Sequence, residues 1–288
     1  MLKIKKINEK WAKVIIFGIF IVIVIFTAKV DWAAMNSTVG MVFRFGWLIS
    51  LSSLGIIFPI IMIHLAGNEF KERRESEKKL FLASLIIYAI ANGIPIIFYV
   101  ILEQPPGFFL FLQLALFGLI PAFVPQPKKD KMRYLILIIL FAIIVVPLTI
   151  LVNITIDELW MNPAMDNTIY YLFFWGLMMT FVFLFIAIGW KFGGGTPRES
   201  WNIFIAGTLV QYSTLEDFFY FLLNGQPLPG TWPWMDNFVI NLQALFGRVP
   251  TDLDLLIFCI IINLIAIFVL LDGHGYIWNK IKQRKKNI

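Results

Sequence analysis

An all-α, polytopic transmembrane helix bundle is the fold class this sequence predicts, and three observations predict it. Apolar residues make up 59% of the chain and charged residues only 15%, against about half and about a quarter in soluble domains. Eight stretches approach the roughly 20 apolar residues that a helix needs to cross a hydrocarbon core. The basic residues, finally, segregate to alternate loops, as the positive-inside rule requires. No water-soluble core of 288 residues could hide 29 Phe and 10 Trp.

In order, the predicted spans are 12–29, 42–65, 80–102, 108–124, 134–153, 168–189, 201–223 and 254–271. Trp11 and Trp32 bracket the first as interfacial anchors do, which favours an anchored helix over a cleaved signal peptide. The fourth and eighth are short, so local thinning or a re-entrant path is expected there. With the N-terminus inside, every Lys and Arg falls in a cytoplasmic segment except Lys29, Arg44 and Arg248. That segregation predicts eight crossings, both termini in the cytoplasm and residence in the cell membrane, with residues 1–288 forming a single integral membrane domain. It also removes nucleic acid as a partner, because the net charge of +6 is dispersed over loops and makes no single basic face.

Between the spans, loop 68–79 (NEFKERRESEKK) alternates charge and reads as solvated helix ends beside anionic headgroups. Thr196, Pro197 and Glu199 supply an N-cap, a first helical residue and a capping box. With no GK[ST] and no preceding strand, the glycines at 193–195 are no nucleotide loop. The external segment 224–251 opens with Pro227, Pro229, Gly230, Trp232 and Trp234, after which Phe238, Leu242, Leu245 and Phe246 recur at helical spacing. It predicts a short amphipathic helix lying on the outer surface, with a lid over an interhelical cavity as the alternative. The strings FYVILEQPPG (98–107) and FYFLLNGQPLPG (219–230), with LIPAFV (119–124) and LIAIFV (264–269), hint at two parallel four-helix halves.

Ionisable residues inside a membrane cost at least about 2.5 kcal/mol near its centre and mark function or a buried pair. Glu216 and Asp217 are such residues, in the outer third of the seventh span. Thr208, Tyr212, Glu216 and Tyr220 stand four apart and share one helical face. Adjacent carboxylates diverge by about 100° around the axis, so Glu216, with two Tyr hydroxyls on its face, is the expected centre and Asp217 its companion. Arg44 enters the second span at a matching depth, and Gln113, Asn92 and Asn263 are polar groups free to converge. The candidate catalytic residues are therefore Glu216 and Asp217, and the candidate binding residues Arg44, Tyr212, Tyr220 and Gln113. An interhelical salt bridge from Arg44 to Glu216 or Asp217, fixing helix packing alone, is the competing account.

Other chemistries are weakly represented. His64 and His274 form no metal-spacing cluster, so no metal is expected. No GxSxG or Cys/His arrangement offers a nucleophile, no cofactor motif is present, and Cys259 sits alone in an apolar run. Asn36 and Asn153 head permissive glycosylation sequons on the expected outer side. The string Glu216-Asp217-Phe218-Phe219-Tyr220-Phe221 resembles the acidic motif of small carotenoid (lycopene) cyclases, a P-x-E-[ED] signature followed by aromatics. That resemblance implies proton-driven ring closure on an isoprenoid, with Glu216 and Asp217 as the acids. It covers six residues and departs from the signature at Thr214, which stands in the proline position, and the first half of the chain has no matching acidic pair.

Three functions follow as expectations. A carboxylate against apolar walls suits a protein that binds or acts on a lipid or isoprenoid. Possible repeats and broken helices suit an ion- or proton-coupled transporter of small solutes. The external segment suits docking, as in a non-catalytic subunit of a larger membrane complex. Membrane lipids and a membrane protein partner are the partners these readings imply.

Overall fold

Within hydrocarbon every backbone amide must find its partner in its own segment, so apolar runs of this length fold as helices. The computed structural model describes residues 8–36, 39–67, 75–102, 107–127, 129–161, 168–232 and 242–286. Among these residues the protein is all-helical, with an isolated bridge between Thr231 and Thr251 and no strand. Five helices among them are long and apolar enough to cross a membrane: Lys10–Met35, Met41–Ala66, Asp130–Met161, Phe173–Phe192 and Asp252–Leu270. They correspond to the first, second, fifth, sixth and eighth predicted spans.

Local sequence explains each. Helix α1 (Glu9–Met35) starts where the Asn8 side chain accepts from the Lys10 amide. Helix α2 (Met41–Ala66) stops at Gly67, whose φ of 54° is open to glycine at little cost. The third long helix comprises α6 (Asp130–Leu140), a π-helical turn at Phe141–Val145, and α7 (Val146–Met161). Pro147 is the local cause: it lacks an N–H, and its ring would strike the carbonyl four residues back. The fourth comprises α8 (Thr168–Tyr171), a second π-helical stretch at Leu172–Met179, and α9 (Thr180–Phe192). Helix α13 (Asp252–Leu270) opens on a Thr251–Asp254 capping box.

The other three predicted spans are not among these five. The third is α3 (Glu75–Leu102), a helix whose side chains from 94 onward, like that of Asn92, lie outside the described residues. The first copy of the suspected repeat, 98–107, falls there as well. The fourth is cut at Gly118 into α4 (Gly107–Phe117) and α5 (Leu119–Phe123). A Cβ at Gly118 would come within 2.9 Å of Phe204, so this glycine permits a close approach. The seventh is cut into α10 (Pro197–Gln211) and α11 (Leu215–Leu222) at Thr214, whose φ is +64°. Two boundaries move as well. Helix α1 runs on to Met35, and α7 runs to Met161, which places Asn153 inside a helix and not in an outer loop.

The core centres on α9, where every residue from Val182 to Phe192 is buried. Gly189 and Gly193 lie one turn apart and let α2 approach closely; added Cβ atoms would meet the Pro59 and Ile63 carbonyl oxygens at 2.3 and 2.6 Å. Gly207 of α10 admits the Phe183 ring in the same way, at 2.4 Å from its would-be Cβ. Unsatisfied carbonyls at the end of α9 are capped from elsewhere. Gln126 Nε2 donates to Lys191 O at 2.8 Å and Arg133 Nη1 to Phe192 O at 2.7 Å. Buried Lys191 pairs with Glu77 of α3 at 3.3 Å.

The described flanks of segment 224–251 fold onto the bundle. Trp232 is fully buried between Phe218 and Phe221 of α11, and its indole donates to Asp252 at 2.6 Å. Leu242, in the short helix α12 (Leu242–Phe246), joins Trp232, Leu255 and Cys259 in a second apolar cluster. Trp234 and Phe238 of the predicted amphipathic helix lie outside the described residues, as does the side chain of Leu245. The chain ends in α14 (Gly273–Lys286).

Candidate acidic site

The site begins with a broken helix. Near the end of α10 the hydroxyls of Thr208 and Ser213 bond back to carbonyls of Phe204, Ile205 and Val210, competing with the helical ladder. Thr214 then turns left-handed, an uncommon state for a β-branched residue. The chain resumes as α11, with Glu216 and Asp217 in its first turn, where the helix dipole favours negative charge.

Glu216 is 6% exposed and its Oε1 has no hydrogen-bond partner. Helix α11 packs against α1, and α1 carries a second buried carboxyl, Asp31, also 6% exposed. Tyr170 donates its hydroxyl to Asp31 Oδ1 at 2.7 Å. Tyr171 packs edge-on against Tyr170, ring centroids 5.1 Å apart, and Tyr220 stands one turn after Glu216 on α11. Tyr170 also stacks on Phe174, with ring centroids 5.3 Å apart. Lys29, one half-turn before Asp31, donates to Leu223 O and to the Asn224 side chain, so α1 also holds the C-terminal end of α11.

Three helical segments thus converge: the end of α1, the start of α8 and the start of α11. Of the residues proposed from sequence, Glu216, Asp217 and Tyr220 belong here. Asp217 follows Glu216 in the first turn of α11. Tyr212 does not join them. The break at Thr214 interrupts the four-residue spacing, and Tyr212 is buried as the cap of α10. Arg44 pairs with Asp157 at 3.9 Å and lies 5.0 Å from the Trp160 ring, so the expected bridge to Glu216 or Asp217 is replaced by one to α7. The reason is the longer α7, which carries Asp157 to the level of Arg44. Gln113 stands on α4, which packs against α3, α5 and α10, whereas α11 packs against α1 and α10. Asn263 is engaged locally, its Nδ2 donating to Cys259 O at 2.8 Å.

Asp31, Tyr170 and Tyr171 are the residues that sequence reasoning overlooks. A usable signal was the spacing of Thr27 and Asp31, four apart on α1, which continues a polar face past the point where hydropathy ends the span. Among the described residues no three His, Cys, Asp or Glu side chains group as metal ligands; the site is carboxyl and phenol.

Compared with known proteins, the chain matches no protein family, no curated protein and no solved structure. The likeness to carotenoid cyclases stays confined to its six residues. Fold and site define the class: an all-helical protein whose five apolar helices are compatible with a multi-pass membrane protein.

Proposed function

We propose that this is an integral protein of the cell membrane that binds or acts on a lipid or isoprenoid through the carboxyl pair Asp31 and Glu216. The observation that carries the reading is the pair itself. Two carboxyls are buried on helices that pack together; Tyr170 serves one, while an oxygen of the other is left without a partner among the described residues. Two ionised carboxylates so buried would be costly, so at least one is suited to stay protonated and to donate its proton. The vacant bonding capacity of Glu216 then calls for a polar group of a ligand, and the surrounding tyrosines and Phe174 offer walls for an apolar body.

The side on which each contact lies supports a chain that crosses eight times with both termini in the cytoplasm, counting α3 and the broken segments as crossings. That topology puts Asp31, Tyr170, Glu216, Arg44 and Asp157 at the outer end, and Glu77, Lys191, Arg198 and Asp272 at the inner end. Every ion pair and hydrogen bond named among them joins residues of one end.

Native mass spectrometry of gently purified protein, wild type beside Glu216→Gln and Asp31→Asn, tests the proposal. An added small-molecule mass present in the wild type and absent in both variants is the expected result. A retained protein partner with no small ligand would favour the subunit reading instead and overturn this one. A second reading, proton-coupled transport of a small solute, is favoured by the helix break directly before Glu216, since discontinuous helices build many transporter sites. Proton-dependent solute uptake in vesicles, lost in Glu216→Gln, would select it.

A further inference from the structure

The C-terminal helix α14 stands apart from the bundle. After α13 the chain turns sharply at Asp272, whose φ is +61°, and two glycines shape the exit. A Cβ at Gly273 would come within 2.2 Å of Phe268, and Gly275 lies directly under the Arg198 guanidinium. Asp272 Oδ1 holds this turn in place by pairing with Arg198 Nε at 2.7 Å and accepting from Asn202 Nδ2 at 3.3 Å. The turn is therefore fixed to α10, and α14 does not continue the span.

Beyond that first turn, every residue from Tyr276 to Gln283 is exposed. Trp278 and Tyr276 are each 68% exposed. At 100° per residue, Ile277, Trp278 and Ile281 fall on one side of α14, and Lys280 and Lys282 flank that side. Asn279, Gln283 and Tyr276 fall opposite, and Lys285 closes the strip at its C-terminal end. An apolar strip with an aromatic residue, bordered by lysines, is the pattern of a helix lying in a membrane interface. Its charge is complementary to anionic headgroups, and the lysine stems are long enough to reach them while their methylenes cover acyl chain.

We infer that α14 is an interfacial helix that binds anionic phospholipid headgroups in the leaflet where α13 ends, its Ile277–Trp278–Ile281 strip entering the acyl boundary. This rests on the membrane reading of the chain but is independent of the acidic site. The test uses the full chain in a Cys259→Ala background, spin-labelled through Ile277→Cys or, separately, Asn279→Cys. The protein is reconstituted in vesicles of phosphatidylcholine alone or mixed with phosphatidylglycerol. In the mixed vesicles the label at 277 is expected to meet oxygen severalfold more than an aqueous nickel chelate, and the label at 279 the reverse. Removing phosphatidylglycerol, or adding Lys280→Gln with Lys282→Gln, is expected to return the label at 277 to water. A label at 277 that stays in water in mixed vesicles overturns the inference. So does one buried equally in both vesicle types and indifferent to the lysines. Carbonate washing keeps the two levels apart: a chain stripped from the vesicles sinks the membrane reading and this inference with it, whereas a retained chain with a wet label sinks only the inference.

Discussion

Asp31 and Glu216 meet the cost of burial differently, and that difference is measurable. Asp31 is satisfied by the Tyr170 hydroxyl, whereas Glu216 Oε1 has no hydrogen-bond partner among the described residues. Removing the donor through Tyr170→Phe should leave a buried acceptor unpaired and cost about 1–3 kcal/mol, read as a lower unfolding temperature in detergent. In Asp31→Asn the change should be smaller, since an amide still accepts from Tyr170. The double variant should then cost less than the sum of the two, because the bond that Asp31→Asn weakens is already absent in Tyr170→Phe. Strict additivity would show that the Tyr170–Asp31 contact does not couple them. At this scale the sequence revealed half the site. Glu216 and Asp217 stand out because they interrupt an apolar run, while Asp31 hides in a span's fading end, beside Lys29 and Trp32.

Two elements owe their shape to single residues. Left-handed backbone at a β-branched residue costs roughly 1–2 kcal/mol, so Thr214→Gly should raise the unfolding temperature if the break between α10 and α11 is as described. A lower melting point would mean that the Thr214 side chain contributes more than its backbone costs. Gly189 makes the opposite case. A Cβ there would lie 2.3 Å from the Pro59 oxygen, whereas Gly46 has nothing within 4 Å. Gly189→Ala should therefore destabilise markedly and Gly46→Ala should not; equal effects would discount the close crossing of α2 and α9. The capping box at Thr196 was read from local spacing, because a cap is a local contact; the one at Thr251 was found only in the structure. The break at Thr214 was not. Ser and Thr are ordinary in a membrane helix, and only the packing of α11 on α1 selects the turn.

The molecule's arrangement in the bilayer has its own check. In a Cys259→Ala background, single cysteines at Lys79 and Lys282 should be protected from a membrane-impermeant maleimide in intact cells and labelled after permeabilisation, while cysteines at Gly225 and Arg248 should label at once. Outside labelling at Lys79 would refute the eight-crossing topology while leaving the helices untouched. What the sequence by itself determined is the helical backbone and apolar helices compatible with a membrane: hydropathy is a sum over many residues and survives local error. Which side chain serves Asp31, where a span breaks, and that Arg44 turns to Asp157 were decided by tertiary structure alone. Those outcomes depend on a few ångströms of helix length and on glycine contacts between distant segments, and neither quantity is written in any local stretch of the chain.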